Sequence, residues 1–458
     1  MNGTYSEIQN APSSDYYELS YAQKWIWLSD RLSPEKPKRN ISFSLHFKGR
    51  LDIEALEKAV EALVIRHEIL RTTFAVENGT LRQRICPPAS FNIKVNHIDV
   101  SKYERMEELS NEIIQEEQAF PFDVQADQLL RVTLIRLLEP KYILVFSMHT
   151  IISDDHSMVI IANELLTLYK GYREQGRNIL PPLSIQYKDF VAWQNAQPQH
   201  NLFSEQESYW MDHFSGRPAP TAFPADFPGN NRVFSNADYV TFQLDKSLTA
   251  ALTKIAERNN ASLLVVLVAI INVLLNRYTR EKDIIIGASI ASRPHPEVEG
   301  QVGPYNSIFP VRTLLDTCKD CFSDVLETIR DVLVAAYERN RYPYELLMEK
   351  LGLMDNLSGC LLINVLVHPQ QAPLLPEVPE LTIERYALEG CANRADLTFR
   401  FEQVDNTVKA RIEYNGGLFK RNTINQFVEN LVNISRLLAT EDELFIDNVK
   451  LLQIASIS

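Results

Sequence analysis

Apolar and polar residues alternate from Ile41 to Phe47. Ile41, Phe43, Leu45 and Phe47 fall on one side, Ser42, Ser44 and His46 on the other. A period of two predicts a half-buried strand. The period then changes: Ile53, Leu56, Val60, Leu63 and Val64 recur at helical spacing, which predicts an amphipathic helix over 52–65. Lys141 to Thr150, rich in Ile, Val, Tyr and Phe, reads as a second strand. Ser153 or Asp154 can cap the helix that follows, whose apolar stripe is Ile161, Leu165, Leu168 and Tyr172. Residues 174–189 are polar and carry Pro181-Pro182, and 196–237 hold repeated prolines and few periodic segments. This stretch is the natural connection between two lobes. Beyond it the pattern predicts strands at 239–244, 283–292 and 360–368 and helices at 248–259, 262–277 and 322–339. A hairpin at 396–404 and 409–415 turns at Asp405-Asn406, and a last helix runs over 420–439. Strands and helices interleave in both halves. The predicted class is α/β (α+β) in two lobes, 1–180 and 238–458, joined by 181–237.

Composition narrows the function classes. Of 458 residues, 45% are apolar and 23% charged, enough to bury a core. Lys plus Arg number 46 against 59 Asp plus Glu, a net charge of −13. Such a chain has no overall pull toward nucleic-acid phosphates. The apolar stretch Leu263 to Leu275 is interrupted by Asn272. It falls short of the ~20 residues that span a bilayer, so it predicts a buried helix and no membrane association. The start, MNGTYSEIQN, lacks a basic segment followed by an apolar run, so no secretion signal is read there. Five scattered cysteines, Cys86, Cys318, Cys321, Cys360 and Cys391, fit a reducing compartment, and the expected location is the cytoplasm. Cys318 and Cys321 have redox or zinc spacing, but no second Cys/His pair lies nearby, so no metal is expected.

Candidate chemistry concentrates in Met148-His149-Thr150-Ile151-Ile152-Ser153-Asp154-Asp155-His156-Ser157. A strand gives way to a helix there, a place where a rigid scaffold presents exposed groups. On local composition alone, a helix cap with solvated polar neighbours accounts for these residues.

Motifs elsewhere change that view. Leu19-Ser20-Tyr21-Ala22-Gln23 with Trp27-Leu28, Arg66-His67-Glu68-Ile69-Leu70-Arg71-Thr72-Thr73-Phe74 and Tyr187-Lys188-Asp189-Phe190-Val191-Ala192-Trp193-Gln194 occur in that order. They are followed by Ile286-Gly287 to Arg293, Val302-Gly303-Pro304-Tyr305-Asn306, Pro310-Val311-Arg312, Tyr342-Pro343-Tyr344-Glu345 and Ile412-Glu413-Tyr414-Asn415. The series resembles the condensation domains of nonribosomal peptide synthetases nearly end to end. The resemblance implies two lobes similar to chloramphenicol acetyltransferase, arranged as a V around a central tunnel. It implies donor and acceptor carrier proteins, peptidyl or acyl, at opposite mouths. Each holds a thioester on a phosphopantetheine arm, and no cofactor is bound by the domain itself. A monomer is the expected state.

The family's active motif is His-His-x-x-x-Asp-Gly. The matching residues are His149, Thr150, Asp154 and Asp155. A threonine hydroxyl therefore stands where the family has the imidazole credited with the acceptor amine. That hydroxyl can share a hydrogen bond but cannot serve as a base by itself. Asp155 replaces the motif glycine; it is expected either to hold an ammonium acceptor protonated or, the favoured reading, to be a solvated carboxylate at the helix start. The motif aspartate is structural in this family and pairs with an arginine; Arg66, Arg71 and Arg293 are available, with Arg71 or Arg293 favoured. On a strand, His149 and Thr150 face opposite ways. His156 is a candidate for lining the tunnel, with Ser157, Asn306 and Ser307. His46, His295 and His368 read as satisfied polar residues on or beside core strands. Trp25 stands where the opening motif usually has arginine, and Arg339-Asn340-Arg341 and Gly359-Cys360 also depart from the pattern.

These departures predict a module that binds carrier-tethered intermediates without ordinary elongation. Non-condensing X-domains resemble it in keeping the first histidine, losing the second and carrying an acid after the Asp; they recruit cytochrome monooxygenases. A docking platform for such a tailoring enzyme is thus one implied role. The alternative is an active acyltransferase, forming an amide or carrying out modified acyl chemistry between two carrier-bound substrates.

Overall fold

The computed structural model describes the chain except residues 1–6, 33–38, 78, 127, 197–202, 217–218, 222, 228–236, 291–292, 294, 306, 317–319, 340–341, 354–361, 371–374, 389–394, 442–443 and 453–458. The first half runs α1 (Tyr21–Leu32), β1 (Asn40–Gly49), α2 (Ile53–Arg66), β2 (Thr72–Glu77), β3 (Thr80–Ile85), β4 (Val95–Asp99) and α3 (Met106–Gln118). It continues with β5 (Leu130–Arg136), β6 (Lys141–His149), α4 (Asp155–Gln175), α5 (Tyr187–Ala196) and α6 (Ser204–His213). The second half runs β7 (Ala237–Leu244), α7 (Lys246–Arg258), α8 (Leu263–Thr279), β8 (Asp283–Ile290), β9 (Ser307–Leu314), α9 (Phe322–Glu338) and α10 (Tyr344–Lys350). Then come β10 (Val365–Gln370), β11 (Leu381–Leu388), β12 (Leu397–Val404), β13 (Thr407–Asn415) and α11 (Arg421–Thr440).

Two sheets organise the molecule. The first has the order β11-β1-β6-β5-β4, the second β7-β13-β12-β10-β8-β9. Helices α2 and α4 close one face of the first sheet over Phe43, Leu45, Leu56, Leu63, Leu144, Phe146, Ile161 and Leu165. In the second, Ile284, Ile286, Val365, Val367 and Phe399 meet α8, α9 and α11. Helix α8 is apolar along its middle except at Asn272, whose amide donates to the Val268 carbonyl at 2.9 Å, because the helix is covered on all sides. Among the described residues no single helix is long and apolar enough to cross a membrane. The predicted hairpin forms, with Asp405 and Asn406 at φ 48° and 62°. Two left-handed residues are what a tight two-residue strand turn requires.

Chain order and spatial order part company twice. Strand β11 leaves the second half and pairs with β1, from Ser42 opposite Leu388 to Gly49 opposite Leu381. The segment between β8 and β9 also crosses over, placing Val298, Val302 and Tyr305 in the first lobe's core. The connection read over 181–237 is likewise not a plain linker. Tyr187, Phe190 and Val191 of α5 are buried in the first lobe, and Trp210 of α6 is buried in a separate cluster with Phe309, Tyr342 and Met348. Proline content masked these helices because their apolar positions are few and face different partners.

Candidate functional site

The site is built where β6 ends and α4 begins, between the two sheets. His149 is the last residue of β6. Its Nδ1 accepts from the backbone N–H of Ile151 at 3.2 Å, its ring meets the edge of Phe122, and its Nε2 lies 3.9 Å from Asp30 on α1. Asp30 is engaged by Arg39. Burial, helped by the nearby Arg39 charge, pushes the imidazole down to about 3. His149 is therefore neutral and committed to the first lobe. Thr150 begins the turn, its N–H donating to the Arg39 carbonyl at 2.8 Å. Its side chain is buried and its Oγ1 has no hydrogen-bond partner among the described residues.

Asp154 caps α4 and is the hub of a saturated network. Its Oδ1 accepts from the N–H of Ser157 at 2.8 Å and from its Oγ at 2.6 Å. Arg293 donates to both carboxylate oxygens, at 2.6 and 3.2 Å, and the Tyr305 N–H donates at 3.0 Å. Arg293 lies over the Tyr305 ring and reaches the Gln301 carbonyl at 3.0 Å. Burial alone would raise the Asp154 carboxyl, but the Arg293 charge and these donors hold it below the usual carboxylate range. A carboxylate so paired fixes a loop; its lone pairs are spent.

Several expected placements need correction. Arg71 does not reach Asp154: it ends a short 3₁₀ turn, and its guanidinium binds the Cys86 carbonyl and Glu68. Arg66 pairs with Glu164. Ser157 does not line a tunnel; it is fully buried, its Oγ bound to Asp154 and to both the N–H and the carbonyl of Gly303. Gly303 leaves room for this: a Cβ there would sit 2.2 Å from the Tyr187 ring. His156 is half-buried against the Glu299 backbone, its pKa lowered by burial and by Arg293. Asn306 and the Ser307 side chain lie outside the described residues, as do Cys318, Cys360 and Cys391.

Asp155 is the largest departure from expectation. It starts α4 and stays about a third exposed, but it also reaches charged groups of the second sheet. Its Oδ2 lies 3.2 Å from His368 Nε2 on β10, and its Oδ1 3.6 Å from Arg400 on β12. Arg400 in turn donates to the buried Glu413 at 2.8 Å, and Arg385 of β11, which lies over the Phe43 ring, also feels the Asp155 charge. Residue-by-residue reading of the sequence missed this contact. His368 looked like any polar residue on a core strand, comparable with His46, which meets Ser44 and Tyr386, or His295, which accepts from Glu297. Its one signal was parity: it alternates with Val365 and Val367, which face the helices.

A condensation-domain model matches residues 13–456. The chain belongs to the condensation-domain family. It is 32% identical over 451 residues to gramicidin S synthase 2 of Brevibacillus brevis, covering 98% of this chain and 10% of that protein. The chain thus spans about a tenth of that relative's length. Among solved structures it is similar to the X-domain from teicoplanin biosynthesis, with a TM-score of 0.87, 26% identity, and coverage of 98% of this chain and 100% of that one. The complex of that X-domain with OxyB matches at a TM-score of 0.86 and 25% identity, covering 98% and 99%. The condensation-domain fold accounts for the two lobes.

Proposed function

We propose that this condensation-family chain receives carrier-tethered thioesters between its lobes and does not elongate them through the motif imidazole. The observation that carries the reading is the placement of His149 and Thr150. The single motif histidine is buried in the first lobe, and the residue after it offers only a hydroxyl. General-base help of the kind an imidazole gives is typically worth about 100- to 10,000-fold. Donor and acceptor carrier proteins with phosphopantetheine arms are the proposed partners. A tailoring enzyme recruited to the carrier-held intermediate is a further one, supported by similarity to an X-domain whose complex with OxyB has been solved. Two experiments test this. Loaded carriers should bind the purified chain, and Thr150→His should raise amide formation, read by mass spectrometry, above the wild-type level. Wild-type amide formation that a folded His149→Ala variant loses would count against the reading.

A second reading, modified acyl transfer, is favoured by one specific observation. Asp155 places a carboxylate beside the imidazole of His368 across the lobe boundary.

A further inference from the structure

The motif imidazole has a counterpart on the facing lobe. His368 sits on β10, in register with Arg400 of β12; on the other side of β10, Leu366 and Val367 pair with Gly287 and Ala288 of β8. Val365 and Val367 point into the core under α8 and α9. His368 points the opposite way, toward the start of α4, and only 6% of its side chain is exposed. There its Nε2 meets Asp155, five residues after Thr150 on the turn that carries the active motif. Asp155 is held in place from behind, because Arg400 lies 3.6 Å from its other oxygen while itself bound to Glu413. The charged groups facing the pair are Arg400 from β12, Glu413 and Arg411 from β13, and Arg385 from β11. A carboxylate beside one ring nitrogen favours the tautomer that keeps its proton there and leaves the other nitrogen as the acceptor.

We propose that His368 and Asp155 form a dyad assembled across the two lobes, with His368 as the proton acceptor for the incoming nucleophile and Asp155 as its positioning residue. The inference rests on the reading that a carrier-held thioester enters between the lobes. In the step it would serve, the acceptor amine nitrogen bonds to the thioester carbonyl carbon. One amine proton passes to His368 Nδ1, the carbon–sulfur bond breaks, and that proton passes from His368 to the departing pantetheine thiolate. The products are an amide and a free thiol, with His368 returned neutral. The dyad would supply, from the facing lobe, the proton acceptor that the Thr150 hydroxyl cannot be.

The full chain is assayed with aminoacyl-loaded carrier proteins and, in parallel, with free aminoacyl pantetheine thioesters and an aminoacyl amide acceptor. Amide is read by mass spectrometry and carrier binding by fluorescence anisotropy. Wild type is expected to form amide. His368→Ala should lower kcat by about 100- to 10,000-fold with KM nearly unchanged, and added imidazole should restore part of the rate. Asp155→Asn should lower kcat by about 10- to 100-fold, and Asp155→Glu should recover part of it. His97→Gln, at an exposed pair with Glu57, should change nothing. His368→Gln stands in should the alanine variant unfold. No amide from wild type with either substrate overturns the dyad, as does a rate indifferent to His368, or a loss that imidazole does not restore in a folded variant. Failure of carriers to bind defeats the reading above, while the free thioesters still judge the dyad.

Discussion

Asp154 and Asp155 are neighbours in sequence and opposites in environment. Asp154 is fully buried, with Arg293, Ser157 and the Tyr305 N–H on its oxygens. Asp155 keeps about a third of its side chain exposed and makes looser contacts, 3.2 Å to His368 and 3.6 Å to Arg400. Both reach across to residues from the second half of the chain. One contact is saturated and dry, as a structural clamp must be; the other is partly exposed to water. Adjacent carboxylates thus differ in burial and in how fully their oxygens are engaged.

The comparison is sharpest when one partner of the clamp is removed. Arg293→Met leaves the Asp154 carboxylate buried without its cation. The expected cost is about 3–5 kcal/mol, read by denaturant unfolding, because an uncompensated charge stays in a dry site. Gly303→Ala attacks the same clamp sterically. The added methyl meets the ring of Tyr187, whose hydroxyl is tied to Ser20 at 2.8 Å, so about 1–3 kcal/mol should be lost. His149 gives the clamp side a pH signature. Its folded value near 3 lies below the unfolded value near 6.5, so the unfolded chain takes the proton first as the pH falls. Its contribution is whole above about 6.5 and is lost progressively down to about 3. Replacing it with Gln should flatten the stability–pH slope in that window by up to about 1.4 kcal/mol per pH unit. Asp155→Asn should cost less than about 1 kcal/mol in the same unfolding assay, since water already screens its ion contacts. Thr150→Val should be neutral or slightly stabilising, within about 1 kcal/mol, because it removes a buried hydroxyl that has no partner among the described residues. A large loss of stability from Asp155→Asn, or a small one from Arg293→Met, would erase the distinction.

Much of the architecture was legible in the patterning. The strand at β1, the helix α2, the Asp154 cap, the apolar helix α8 and the Asp405-Asn406 hairpin all follow from periods of two or 3.6 and from local turn chemistry. What the patterning missed has a common cause. Strand β11 alternates Thr382, Glu384 and Tyr386 with Leu381, Ile383 and Arg385, a weak signal, and it finds its place only by pairing with β1. Helices α5 and α6 were hidden in a proline-rich stretch because each buries a few large side chains against a different layer.

The candidate site divides along the same line. The residue after His149 is a threonine, and no arrangement of the chain can supply it with an imidazole ring; that loss of a base was decided by the sequence alone. So was the helix cap, since a carboxylate three residues before Ser157 meets the N–H groups of its own first turn. The choice of Arg293 over Arg71 as the partner of Asp154, and the meeting of Asp155 with His368, were decided by tertiary structure. Those pairs are 139 and 213 positions apart, and only the crossing of the two lobes brings them within reach. Local patterns fix torsions and faces. Contacts between distant charges depend on how the sheets are laid against each other, which is set by burial of surfaces that no short window of sequence contains.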